Sequence, residues 1–223
     1  MSTKYGILVN IEECLGCGVC VIACKQENGL PPHTDDRPGT IGIAWNQVLS
    51  LLDGVYPDLS MYYLYLHCMH CENPPCIPSC PKGAIQKRDD GIVLIAKSKC
   101  DACRNEPDGI KKCTVACPYG AIQFNEQRGV VEACTMCLHR VEAGQDPACV
   151  NACMGGALTF GDLNDSGSKI SQAIAAAKDR VFVLLPEKGT SPSVQYVKPR
   201  EASLKRVSRL DKAVKMYGFE KQK

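Results

Sequence analysis

Cysteine is the residue type whose number and spacing carry chemistry in this sequence. The stretch CLGCGVCVIAC, residues 14–24, holds four thiols separated by two, two and three residues. The chain has 223 residues, and 16 of them are cysteines. All of them fall into quartets that open with C-x-x-C and close with C-x-x-x-C. In chain order the quartets are Cys14, Cys17, Cys20 and Cys24; Cys68, Cys71, Cys76 and Cys80; Cys100, Cys103, Cys113 and Cys117; and Cys134, Cys137, Cys149 and Cys153.

The spacing of the first quartet suits a cubane iron–sulfur cluster, which needs four thiolates around a compact core. A C-x-x-C-x-x-C loop wraps three irons of one cluster, and the cysteine three residues further on points elsewhere, so that it ligates the other cluster of a pair. Gly16 and Gly18 relieve crowding where the backbone passes close to the cluster. We therefore predict that all 16 cysteines are ligands and that the chain holds four [4Fe–4S] clusters.

A short motif repeats at the closing cysteines of the later quartets. CPKGAI at 80–85 matches CPYGAI at 117–122, and CMGGAL at 153–158 matches both without the proline. A nearly constant interval separates the three copies, which indicates repeated supersecondary units. The proline after the cysteine fixes the local turn. The first quartet differs, since Lys25 follows Cys24.

Disulfides and zinc are the other chemistries that so many cysteines could serve. Disulfide scaffolds are typically short secreted domains, whereas this chain is longer and its start, MSTKYGILVN, lacks the pattern of a signal peptide. Zinc modules also use C-x-x-C, but they usually pair two such knuckles across a longer gap. The triple spacing and the Cys-Pro closures favour clusters, and a zinc-stabilised interaction module remains the distant alternative.

The rest of the composition narrows the class of protein. Lys and Arg number 26 against 24 Asp and Glu, which argues against a nucleic-acid binder. No apolar run approaches the roughly 18 residues that span a bilayer, so we expect no transmembrane segment within this chain. No nucleophile–base pair, phosphate loop or dinucleotide fingerprint stands out. We therefore predict an electron relay that is not itself a catalyst.

Short elements are expected to position the quartets, since clusters replace much of a hydrophobic core. Metal binding should accordingly be coupled to folding. Helical turns are predicted just after the closing cysteines, and the cysteine-free stretch 25–66 is an insertion that begins as a loop. The other predicted elements are a strand at 5–9, hairpins at 85–95 and 122–131, a helix at 168–178 capped by Ser168, and a strand at 181–185.

The chain resembles the four-cluster iron–sulfur electron-transfer subunit of molybdenum or tungsten bis-pterin oxidoreductases, the dimethyl sulfoxide reductase family. The resemblance covers about residues 4–198. The motifs that carry it are YGILVNIEECLGCGVCVIACKQENGLPP, HCMHCENPPCIPSCPKGAI, CPYGAI and CTMCLHRVEAGQDPACVNAC.

That resemblance implies that the quartets pair crosswise, the first with the fourth and the second with the third. One cluster would take Cys14, Cys17, Cys20 and Cys153; its neighbour Cys134, Cys137, Cys149 and Cys24; a third Cys68, Cys71, Cys76 and Cys117; and the last Cys100, Cys103, Cys113 and Cys80. The fold class is then α+β, with two ferredoxin-like units of two [4Fe–4S] clusters each. Residues 1–66 and 124–200 form one unit, with 25–66 inserted, residues 67–123 form the other, and 201–223 are a basic amphipathic extension.

The resemblance also implies partners and a location. A large catalytic subunit would carry the molybdenum or tungsten bis-pterin cofactor, and a membrane anchor subunit or a soluble carrier would stand at the other end of the relay. We prefer the extracytoplasmic (periplasmic) side, reached by co-export with a partner, over the cytoplasm. The alternative functions are a free polyferredoxin and the relay subunit of a hydrogenase.

Two histidines flank the second quartet. His67 and His70 lie next to Cys68 and Cys71, where hydrogen bonds or charge would tune the potential of that cluster. The other interpretation is that they are ordinary surface histidines beside a motif.

Overall fold

The computed structural model describes residues 2–31, 42–53, 56, 57, 59–106 and 109–200, which form a mixed α and β protein of small sheets and short helices. The elements in chain order are β1 Tyr5–Asn10, α1 Val19–Glu27, β2 Asn46–Asp53, β3 Ser60–His67, α2 Cys76–Ser79, β4 Ile85–Lys87, β5 Val93–Ile95, α3 Lys112–Ala116, β6 Gln123–Asn125, β7 Val130–Glu132, α4 Leu138–Glu142, α5 Ala148–Asn151, β8 Leu158–Asp162, α6 Lys169–Ala177, β9 Val181–Phe182 and β10 Val194–Val197.

The largest sheet has the strand order β8-β1-β10-β9, with β1 parallel to β10 and antiparallel to β8. Its central strand is buried on both faces, as the apolar run in β1 requires. Ile7 and Val9 enter the main core, while Leu8 packs on the other face with Ile170 of α6. Helix α6 begins as predicted, because the Ser168 hydroxyl accepts a hydrogen bond from the Ser171 N–H at 3.2 Å.

Three antiparallel hairpins complete the strands. The hairpins β4–β5 and β6–β7 were predicted from their turn residues and are confirmed. The longest hairpin, β2–β3, lies in the insertion 25–66 except for His67 at its end, and it was not predicted. Its register places Asn46 opposite His67, so that the hairpin ends immediately before Cys68.

The helical turns lie before the closing cysteines, not after them, so that prediction was wrong for three quartets. Helices α2, α3 and α5 end ahead of Cys80, Cys117 and Cys153. Cys80 and Cys117 themselves are extended, because the ring of a following proline disfavours the helical conformation at the preceding residue. Cys24 has no proline after it, and α1 continues to Glu27.

The strand expected at 181–185 is also shorter than predicted. Only Val181 and Phe182 pair with β10. Leu185 has a φ of 49°, a left-handed conformation that ends an extended strand, and its side chain is buried in the main core. The extension 201–223 lies outside the described residues. So does most of LPPHTDDRPGT, residues 30–40, which is the loop predicted in the insertion 25–66. Among the described helices, none has the length and apolar character needed to cross a membrane.

Candidate iron–sulfur sites

All 16 cysteines lie in the described part of the chain, and none forms a disulfide. Most of the thiols are buried or half-buried, whereas Cys17 is exposed. The sequence predicted that they are cluster ligands, so the first question is which thiols lie together.

The first thiol group joins the first and fourth quartets. Burial raises the pKa of Cys14, and the nearby sulfurs of Cys153 and Cys17 raise it further. Burial also raises the pKa of Cys20 to about 12, with contributions from Cys149, Cys14 and Cys153. We name this group, which consists of Cys14, Cys17, Cys20 and Cys153, site I.

The second group also combines the first and fourth quartets, with one cysteine from the first and three from the fourth. Burial raises the pKa of Cys24, and the neighbouring Cys149 and Cys137 add to the effect. Burial likewise raises the pKa of Cys134, which lies close to Cys24 and Cys149. Site II is the name used below for Cys24, Cys134, Cys137 and Cys149.

The other two groups join the second and third quartets. Burial raises the pKa of Cys68, and Cys117, Cys71 and Cys76 are its thiol neighbours. Burial raises the pKa of Cys113 to about 12, with Cys80, Cys103 and Cys100 nearby, and these four cysteines line a single cavity. Site III is Cys68, Cys71, Cys76 and Cys117, and site IV is Cys80, Cys100, Cys103 and Cys113.

Neighbouring sites lie close to one another through a few of their thiols. Cys20 of site I lies near Cys149 of site II. Cys134 of site II lies near Cys68 of site III. Cys76 of site III lies near Cys113 of site IV. The four groups of thiols therefore follow one another in the order I, II, III, IV.

The C-x-x-C loops share one backbone feature. The residue before the second cysteine has a positive φ in every loop: 66° at Gly16, 41° at His70, 52° at Ala102 and 51° at Met136. Only glycine adopts this region without cost, so three of the loops carry local strain. In the loop of the fourth quartet, this turn lets the Met136 N–H donate to Cys134 Sγ at 3.3 Å. Such strain at matched positions is typical of a functional site.

This donor set fits iron–sulfur clusters. Each site offers four sulfur atoms, the ligand type that Fe–S clusters use. Burial keeps most of these thiols protonated in the absence of a cation. Iron would supply the positive charge that lets them ionise, and backbone N–H groups such as that of Ala84, 3.4 Å from Cys80 Sγ, already face the sulfur atoms.

Site II is surrounded by polar side chains that the sequence did not reveal. Asn28 Nδ2 donates to Cys24 Sγ at 3.6 Å, and Tyr65 forms a hydrogen bond with Cys149. The Tyr65 hydroxyl in turn accepts from Asn46 Nδ2 at 2.9 Å. Tyr65 and Asn46 come from the β2–β3 hairpin, whose pairing had to be known before these contacts could be found.

The two histidines are buried, so the interpretation of them as surface residues was wrong. His70 has no exposed surface and His67 only 2%. Burial lowers the pKa of His67 to about 4, and burial together with His67 lowers the pKa of His70 to about 3. One ring nitrogen of each and the sulfur of Cys134 lie within 4.8 Å of one another. The imidazoles thus lie beside site II as well as site III.

An exposed apolar surface surrounds site I. Leu15, Ile22 and Met154 are 62%, 64% and 71% exposed, and each lies within two residues of a site I cysteine. Exposed apolar side chains of this size are typical of contact surfaces when they lie together.

Comparison with known proteins identifies the class of these sites. Residues 59–163 match the family model described as a 4Fe-4S dicluster domain. The chain is 37% identical to the B subunit of tetrathionate reductase from Salmonella typhimurium, over 87% of this chain and 72% of that protein. It is 35% identical to the B subunit of sulfite dehydrogenase from Allochromatium vinosum, over 91% of this chain and 86% of that protein. It is also 37% identical to the corresponding subunit of anaerobic dimethyl sulfoxide reductase from Escherichia coli, over 79% of this chain and 82% of that protein.

Proposed function

The protein belongs to the iron–sulfur electron-transfer subunits of the dimethyl sulfoxide reductase family, and from this we propose that it relays single electrons through four [4Fe–4S] clusters. A cluster of this type, when bound, takes up and releases one electron at a time. The protein's own part is to hold the ligands, exclude water and set the order of the sites. We propose that chemistry on the substrate belongs to a partner subunit.

The linear order of the thiol groups is the observation that carries this proposal. Each site gathers four cysteines in the crosswise combinations implied by the family resemblance. Neighbouring thiols, such as Cys134 and Cys68, connect each site to the next. Four separate zinc sites would need no such sequence of contacts, whereas a relay does, because an electron must pass from each centre to its neighbour. We further propose that sites I and II belong to one ferredoxin-like unit and sites III and IV to the other.

We propose that site I faces a large catalytic subunit that carries a molybdenum or tungsten bis-pterin cofactor. Cys17 is exposed at this site, and Leu15 and Met154 offer the apolar surface that a stable subunit contact requires. Site IV would then face the external donor or acceptor, either a membrane anchor subunit or a soluble carrier. Val115 of α3, 75% exposed and two residues from Cys113, supports a second contact there.

The location of the complex is part of the proposal. We favour the extracytoplasmic side, reached by co-export with the catalytic subunit, on the strength of the family resemblance alone. Fractionation of cells that produce both subunits tests this directly. Recovery of the complex with periplasmic markers supports co-export, and recovery with cytoplasmic markers contradicts it.

Purification through a tag on this chain, without oxygen, tests the proposed partner. The expected result is a co-purifying large subunit that contains molybdenum or tungsten, together with iron in this chain. Iron without a second subunit would identify a free polyferredoxin, and nickel in the partner would identify a hydrogenase relay. Zinc in place of iron would contradict the electron-transfer function itself.

A further inference from the structure

The space between sites II and III is apolar and contains ring nitrogens that lack protein partners. Trp45 packs with Cys24 and Cys134 of site II, and Cys68 of site III packs against the same cluster. Among the described residues, neither nitrogen of His67 nor Nε2 of His70 has a hydrogen-bond partner. A buried donor left unpaired is costly, so an acceptor for these rings is expected.

A single backbone contact fixes the protonation of His70. The Val93 N–H donates to His70 Nδ1 at 3.0 Å, so Nδ1 carries the lone pair. In a neutral imidazole the proton then resides on Nε2, which makes Nε2–H a donor. Burial lowers the pKa of His67 and the nearby backbone of Cys68 partly offsets this, but neither ring nitrogen of His67 has a hydrogen bond of good geometry among the described residues.

A sulfur atom of site II lies close to this ring. Cys134 Sγ and one ring nitrogen of each histidine lie within 4.8 Å of one another. Nδ1 of His70 is occupied by Val93, which leaves Nε2 for the sulfur. The backbone N–H of His70, by contrast, serves Cys68 of site III. One residue therefore reaches two neighbouring sites, one through its main chain and the other through its side chain.

We propose that, with the cluster of site II bound, the His70 imidazole donates a hydrogen bond from Nε2–H to the sulfur of Cys134, and that it thereby raises the reduction potential of site II, although its sequence neighbours Cys68 and Cys71 belong to site III. This inference rests on the proposed electron-transfer function. A hydrogen bond to a ligand sulfur stabilises the more negative, reduced state, so its loss lowers the potential. His70 is a positioning residue here and not a ligand.

The test is an EPR-monitored redox titration of the whole complex carrying His70→Leu, His70→Gln or His67→Leu. The Cys137→Ser and Cys71→Ser variants assign the signals of sites II and III. His70→Leu is expected to lower the midpoint potential of site II while that of site III and the iron content stay unchanged. His70→Gln, whose amide retains an N–H at similar reach, should restore most of the shift.

His67→Leu is the matched control, because it removes an equally buried ring beside Cys134 in which no backbone N–H of the described residues holds a nitrogen as an acceptor. The proposal expects a smaller shift from it than from His70→Leu, and an equal or larger shift overturns the assignment. A shift at site III alone, or at neither site, overturns the proposal as well. Loss of a cluster in both His70 variants would make the residue a ligand or an assembly element, which also contradicts it. A complex without iron would instead overturn the proposed function.

A measurement on the unmutated complex covers the case in which the variants fail to fold. With ¹⁵N-labelled histidine, pulsed EPR should detect a weak nitrogen coupling and an exchangeable proton on the signal of site II. A coupling as strong as that of a directly bound imidazole, or none on site II, overturns the proposal.

Discussion

Gly16 lies against the ring of Tyr63, so closely that a Cβ at Gly16 would fall 2.6 Å from Tyr63 Cζ. Gly16 also has a φ of 66°, so it meets two constraints at once: no room for a side chain and a left-handed backbone. Tyr63 comes from β3, which shows that the insertion 25–66 packs directly onto the loop of site I.

Gly16→Ala should therefore damage site I. Overlap with the Tyr63 ring adds about 1–3 kcal/mol to a backbone cost of about 1 kcal/mol. Gly18→Ala is the matched control, since Gly18 has a φ of 73° but no atom within 4 Å of its added Cβ. The iron content and the unfolding free energy should fall more for Gly16→Ala, and equal losses would contradict a role for the Tyr63 contact.

The crosswise ligand sets predict opposite effects for two closing cysteines. Cys24→Ser should impair the cluster of site II and spare that of site I, because Cys24 lies near Cys149 and Cys137. Cys153→Ser should do the reverse, because Cys153 lies near Cys14. EPR spectra of the two variants check this, and loss of the cluster held by Cys14 in the Cys24→Ser protein would rule out the crosswise sets.

Glu27 joins α1, which carries Cys20 of site I and Cys24 of site II, to α4, which begins just after Cys137 of site II. Its carboxylate pairs with His139 Nε2 at 2.7 Å and with Arg140 Nη1 at 3.2 Å, which ties α1 to α4. Glu27→Gln should lower the unfolding free energy by about 1 kcal/mol at neutral pH, the upper range for partly exposed ion pairs. Denaturant unfolding without oxygen measures it, and no loss at neutral pH would show that the pairs contribute nothing.

The same carboxylate predicts a pH dependence. The hydrogen bond from His139, aided by Arg140, lowers the pKa of Glu27 below its ordinary value. Its stabilisation is therefore complete above the ordinary Glu pKa of about 4.3 and is lost as the pH falls through the lowered folded value. The difference in unfolding free energy between the parent protein and Glu27→Gln should shrink as the pH falls through that acidic range. A difference that grew there would contradict a lowered pKa for Glu27.

The apolar surface at site I predicts a binding defect. Met154→Glu or Leu15→Glu should weaken association with the catalytic subunit at least about tenfold, a change of about 1.4 kcal/mol, because each places a charge in an apolar contact. Val115→Glu is the control, since Val115 is equally exposed but lies at site IV. Dissociation constants for the complex of the two subunits measure this. A larger defect from Val115→Glu would show that the catalytic subunit binds at site IV and not at site I.

The local parts of the account could be predicted from sequence. The hairpin turn at Gly91 and the cap at Ser168 depend on residues close together in the chain, and both are present. The helical turns were misplaced because the residues after each closing cysteine were interpreted as helical, whereas proline disfavours the helical conformation at Cys80 and Cys117.

The long-range contacts could not be predicted. Neither the proximity of His70 to Cys134 nor the hydrogen bond between Tyr65 and Cys149 has a signal in residue spacing. They depend on the β2–β3 register, in which a shift of one residue would turn every side chain to the other face. The positive φ at Met136 could not be predicted either, because glycine is the only residue whose identity indicates that conformation.

The central claim is that this chain holds four four-iron clusters, and the most direct measurement is iron and acid-labile sulfide per chain in the complex purified without oxygen. The account predicts about 16 of each, as four [4Fe–4S] clusters require. About half that number, or zinc in place of iron, would contradict it.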